Sequence, residues 1–180
     1  GQRLPAELID ARVRIQGACT SELNARGQLA GIVLNVPSLE YVRVLESAPA
    51  EPFAESSVPI ASIGTFQPDR VAGRRVKVEG VVTLEIPWQG FYLQDATGGI
   101  RVHTGETNEV RLGDRVEVLG FPALGDLAPY LEDAVWRKTG SGPLPLPVTT
   151  TAEKILLHGT NDAMVVEIEA QVLQNVPGAA

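Results

Sequence analysis

Two short runs, FYLQD (91–95) and IRVHT (100–104), carry the side chains best suited to holding a ligand. Apolar and polar residues alternate in both. If Leu93, Ile100 and Val102 face a core, Tyr92, Gln94, Arg101 and His103 face outward. A tyrosine beside an arginine and a histidine can stack on, or hydrogen-bond, a sugar ring, a base or another small ligand. The same residues also suit a plain solvated sheet face. Trp88, between Pro87 and Gly90, has two readings: an exposed stacking platform or interface anchor, or a plug folded over the end of the core. Trp136, in YLEDAVWRK (130–138), reads as core or as a contact with a neighbouring module.

Catalytic and metal chemistry find little support. The two histidines, His103 and His158, are far apart in the chain, and no Cys/His/carboxylate spacing suggests zinc. No metal and no cofactor is expected. Glu132, Asp133 and Asp114 could mimic parts of a carboxylate pair, but carboxylates in loops and at strand ends usually cap turns. No nucleophile–base arrangement is visible, so this stretch of chain is not expected to be an enzyme. Gly98-Gly99 lacks the following helix that a phosphate loop needs. Arg70, Arg74, Arg75 and Lys77 form the densest basic group. They read either as a solvated strand start paired with Glu79 and Asp69, or as an anion contact. A net charge of −7 and a pI near 4.9 make nucleic acid an unlikely partner, because phosphate neutralisation supplies much of such binding. The single cysteine, Cys19, excludes an intrachain disulfide and reads as a small buried hydrophobe.

These residues must be positioned by β-structure. Scarce aromatics (5%) with 18 Gly and 13 Pro suit short strands and frequent turns, and 44% apolar content can build a core. A beat of alternating apolar residues closed by a small one occurs at VRIQG (13–17), VKVEG (76–80), VEVLG (116–120) and VEIEA (166–170). Each marks a strand with one buried face and a bend or bulge at its end. Residues 73–86, 91–95, 100–104, 115–120 and 130–138 make five short antiparallel strands, the first one long and bent at Gly80, as in a small closed barrel. After the extended linker GSGPLPLP (140–147) the unit restarts: Val76, Val78, Gly80 and Val82 map onto Val166, Ile168, Ala170 and Val172 at an offset of 90 (166 − 76). The lead-in SVPIASI (57–63) resembles LPVTTTAEKI (146–155), where Thr150 and Glu153 have capping-box spacing for a helix over 151–158. Residues 11–17 and 32–49 parallel the fourth and fifth strands.

The chain therefore divides into 1–56, the back half of one unit (strands four and five); 57–142, a complete barrel; and 143–180, linker, short helix and first strand of the next. The fold class is all-β, with a five-stranded Greek-key barrel, a second barrel-like unit built from the flanking half-repeats, and one short helix. Half-units expose strand edges, so the strand over 164–174 is expected to pair with strands four and five (11–45), within one chain or across a dimer. The chain reads as an excised piece of a longer polypeptide.

GRRVKVEGVVTLEIPWQGFYLQDATGGIRVHT (73–104), LGDRVEVLGF (112–121) and YLEDA (130–134) resemble a bacterial OB-fold module. Tandem copies with Pro-rich joins are similar to the extracytoplasmic sensor regions of two-component histidine kinases and diguanylate cyclases. The resemblance implies a non-catalytic ligand-sensing module in the periplasmic part of a membrane-anchored protein, its output domain lying outside this stretch. It also implies a site across the second and third strands and the first loop (Trp88, Tyr92, Gln94, Arg101 and His103), for an unknown small ligand, an oligosaccharide or a partner protein. Similar modules in secreted nucleases leave nucleic-acid binding as an alternative, and a structural spacer as another.

Overall fold

The computed structural model describes residues 5–23, 29–65, 73–106, 108–125, 128–158 and 161–171. Two compact units emerge, Gly1–Pro52 and Phe53–Ala180.

The second unit contains a closed five-stranded barrel: β5 (Val76–Ile86), β6 (Gly90–Gln94), β7 (Gly99–His103), β8 (Asp114–Leu124) and β9 (Pro129–Ser141). The remaining strands are β1 (Arg12–Ile15), β2 (Ala18–Leu23), β3 (Leu29–Asn35), β4 (Val42–Glu46), β10 (Val148–Thr149) and β11 (Val166–Glu167), with one helix, α1 (Ala152–His158). Strand β5 serves two partners. Val76–Val81 pair with β8, and Val81–Ile86 pair with β6. Gly80 is the pivot, since a Cβ there would come within 2.6 Å of the Gln94 carbonyl oxygen. A parallel contact, Arg101↔Tyr130 and Val102↔Leu131, closes the sheet between β7 and β9. The cyclic order β5-β6-β7-β9-β8 is that of an OB-fold. Phe91, Leu93, Ile100, Val102, Val78, Val82, Val116, Val118 and Leu131 fill the interior, as period-two alternation predicts. Strands β8 and β9 run beyond 115–120 and 130–138 because bulges at Arg115/Val116 and Leu119/Phe121 let them bend and keep pairing.

A lead-in closes one end of the barrel. The Val58 N–H donates to the Lys77 carbonyl (2.8 Å), and Ile60 and Ile63 enter the core. Asp95 ties this segment to the β6–β7 turn. Its Oδ2 accepts from the Ile60 N–H (2.9 Å), while its Oδ1 accepts from the Thr97 and Gly98 amides. Asp114 is likewise structural: it is buried and accepts from the Arg111 N–H, Lys138 Nζ and Ser141 Oγ. The basic group is also structurally engaged. Lys77 Nζ reaches the Phe53 carbonyl (2.9 Å) and Glu117 (3.3 Å), and Arg75 donates to the Asp133 carbonyl. Arg70 and Asp69 lie outside the described residues.

The repeat seen in the sequence is also a repeat of backbone geometry. The Thr150 N–H donates to the Glu167 carbonyl as Val58 does to Lys77, and Ala163 and Gly73 both hold positive φ (58° and 83°). In the first unit, β1 pairs with β4 and β2 with β3. The β2–β3 register (Ala18↔Asn35, Cys19↔Leu34) repeats that of β5 and β6 (Val81↔Gln94, Val82↔Leu93). A Cβ on Gly17 would meet the Asn35 carbonyl oxygen at 2.5 Å, as one on Gly80 would meet that of Gln94. So β1 and β2 copy the two halves of the bent first strand β5 and not β8, the expected fourth strand. The first-beat strand thus takes Val42–Glu46 as its partner and the fourth-beat strand takes Val148–Thr149, in parallel.

Two local expectations need correction. Cys19 is exposed, because β2 lies in a two-stranded ribbon rather than in a layered core. At α1 the Lys154 N–H bonds Thr151 Oγ1 (3.3 Å). Thr151, not Thr150, is the cap, and the residue three further on is a lysine, so no capping box forms. Val172 lies outside the described residues.

Candidate functional site

The β6–β7 hairpin aligns Tyr92 with Arg101 and Gly90 with His103. Tyr92, Arg101 and His103 are half-buried on the outside of the barrel, above the buried Phe91, Leu93, Ile100 and Val102. Arg101 is held by Gln89 Oε1 (2.8 Å). His103 packs against the Tyr130 ring at 4.7 Å between centroids. Burial and the adjacent Arg101 guanidinium lower its pKa below the usual imidazole value, with Glu132 opposing them. His103 Nε2 is buried with no hydrogen-bond partner among the described residues.

Gln94 does not belong with them. It is only 5% exposed, and its Oε1 accepts the Val165 N–H at 2.8 Å. The segment leading into β11 covers this end of the hairpin, which alternation along β6 alone does not disclose. Gly99 makes room for that segment, since a Cβ there would overlap the Ala163 carbonyl.

Trp88 stands 97% exposed at the tip of the β5–β6 loop, with φ of 65°. It stands in solvent and does not plug the end of the barrel. Beneath it lies a cavity of about 360 Å³, lined among others by Glu85, Gln89, Glu106, Glu109 and Trp136. Trp136 packs edge-to-face on Phe91 (5.9 Å), in keeping with the core reading. A second cavity of about 300 Å³ lies beside His103, bounded by Gln89, Thr104, Gly105, Glu132 and Asp133. The two share Gln89, Thr104 and Gly105, so they form one rim.

Sequence reasoning did not select Tyr130 or Gln89, and it read Glu132 and Asp133 as no more than turn-capping carboxylates. Only the parallel β7–β9 contact brings Tyr130 beside His103. Chemically the rim offers one exposed indole, an arginine already engaged by Gln89, and several carboxylates. The described residues include no cluster of three or more His, Cys, Asp or Glu able to hold a metal. They also include no helix long and apolar enough to cross a membrane.

No family model matches the chain, and no curated protein matches it. A solved structure similar to it is that of the hypothetical protein ygiW from E. coli, 21% identical, with a TM-score of 0.39, covering 48% of this chain and 92% of that one.

Proposed function

We propose that the barrel is a non-catalytic ligand-sensing or interaction module of an extracytoplasmic bacterial signal-transduction receptor, and that its rim takes a polyhydroxylated small molecule or oligosaccharide. The observation that carries this is the fully presented Trp88 indole above a rim of fixed polar groups. An indole in water at a loop tip contributes nothing to the core and suits stacking on a sugar face. The carboxylates Glu85, Glu106, Glu109 and Glu132 accept hydroxyl hydrogen bonds and repel polyphosphate, while Arg101 is already bonded to Gln89. The fixed Val165–Gln94 link gives a ligand-induced shift of the β6–β7 hairpin a route into the following segment. Such transmission requires different ligand affinity in the two arrangements.

Titration of a panel of neutral oligosaccharides, followed by Trp88 fluorescence, tests this. Saturable quenching that Trp88→Ala abolishes is expected. Salt-sensitive binding of labelled single-stranded DNA, with no response to any sugar, would refute it.

A further inference from the structure

The cavity beneath the β5–β6 loop combines two indoles with carboxylates. Trp88 and Trp136 both line it, the first at the loop tip and the second seated on Phe91. Glu85, Glu106 and Glu109 line it as well, and among the described residues no lysine, arginine or histidine does. Glu109 is paired with Arg111 at 3.3 Å, where both side chains are largely exposed. Glu85 and Glu106 have no ion pair among the described residues. Glu106 is fixed at its backbone, where its N–H donates to Thr104 Oγ1 (3.1 Å). Its Oε2 is buried and has no hydrogen-bond partner among the described residues. A buried carboxylate oxygen in that state is unfavourable until a donor reaches it.

Three kinds of ligand group can be weighed against this wall. An anion meets like charge from every ionised side chain lining the cavity. A neutral hydroxyl can donate to Glu106, but it strips water from Glu85 and Glu106 without supplying a counter-charge. A cationic nitrogen answers both features. Its N–H donates to the carboxylate in a charge-assisted hydrogen bond, and its charge is attracted to the faces of the indoles. The net charge of −7 on the chain also favours its approach.

We infer that this cavity is a subsite for a cationic amine, with Glu106 as its hydrogen-bond acceptor and Trp88 and Trp136 as its aromatic walls. Glu85 adds its charge from the end of β5. Taken with the sugar-binding reading of the rim, on which this step rests, the subsite narrows the ligand class to saccharides that carry a free, protonated amino group.

The test is isothermal titration calorimetry on the full chain at about pH 6, where primary amines are protonated. The probes are a glucosamine tetramer, its fully N-acetylated counterpart, and tetramethylammonium. The glucosamine tetramer is expected to bind about tenfold more tightly than the acetylated one. Glu106→Gln keeps the shape and removes the charge, and should bring the two within about twofold of each other. Glu106 lies in the connection between β7 and β8, so the amide NMR spectrum of β5 and β6 serves as the folding control. Added salt needs no variant and should weaken the glucosamine tetramer selectively. An acetylated tetramer that binds as tightly as the free amine would overturn the inference and leave the sugar reading intact. Tetramethylammonium binding that Trp88→Ala abolishes, with no response to either sugar, would uphold the cation subsite and sink the sugar reading instead. No binding of either cationic probe would overturn the inference outright.

Discussion

Two neighbouring glycines in the β6–β7 turn separate the role of the barrel from that of the segment docked on it. A Cβ on Gly98 would meet nothing closer than 3.7 Å, the Ala61 nitrogen and an Ile60 methyl group. A Cβ on Gly99 would overlap the Ala163 carbonyl and lie 2.9 Å from the Met164 nitrogen. Neither glycine has positive φ, so alanine is compatible with the backbone at both sites. Gly98→Ala should therefore be neutral or stabilise by up to about 1 kcal/mol, by reducing the freedom of the unfolded chain. Gly99→Ala forces backbone atoms to retreat by roughly 1 Å to reach ordinary contact distance. Overpacking of this kind costs about 1–3 kcal/mol when nothing moves, more than the roughly 0.5–1.5 kcal/mol of the Val165–Gln94 hydrogen bond. Undocking is the cheaper outcome. Amide hydrogen exchange by NMR should show the Val165 N–H losing protection in Gly99→Ala, while the amides of Val78, Val82 and Leu93 keep theirs. Unchanged Val165 protection would refute the assignment of Gly99 as the seat of the segment. A global loss of core protection would show that the segment and the barrel unfold as one.

Other perturbations follow from the same contacts. Trp88→Ala should leave the melting temperature of the barrel within about 2 °C, because the side chain is almost fully solvated; scanning calorimetry checks this. Asp114→Ala removes the acceptor shared by Lys138, Ser141 and the Arg111 amide, and should cost about 2–3 kcal/mol in urea unfolding. Acid should act in two steps. Hydrogen bonds from Lys138 to Asp114 and from Arg137 to Glu117 are the main causes that lower these carboxylate pKa values. Their contribution is complete above the unfolded values of about 4 and is lost as pH falls through the folded ones. His103 is also depressed, chiefly by burial. Being a base, it contributes fully above its unfolded value of about 6.5 and loses that contribution as pH falls below it. His103→Gln should abolish the upper step alone in a pH series of urea midpoints.

Much of this fold was legible from local pattern, because its causes are local. The alternation of Val76, Val78, Val82, Leu93, Ile100 and Val102 follows from the two-residue period of a strand, and each of these side chains is buried in the barrel. Gly80 and the Asp95–Gly99 turn mark a bend and a hairpin through residues that need no distant partner. Properties that depend on which segments meet were not legible. Gln94 has the same outward parity as Tyr92, yet it is buried because Val165, far along the chain, bonds to it. Cys19 follows a strand beat in sequence but has no second layer over its ribbon. Tyr130 reaches His103 only through a parallel pairing that no period encodes. The sequence by itself determined the strands, their buried faces and their repetition. Only the tertiary structure decided which polar groups remain available at the rim, since burial of a polar atom depends on its neighbours in space and not on its place in an alternating pattern.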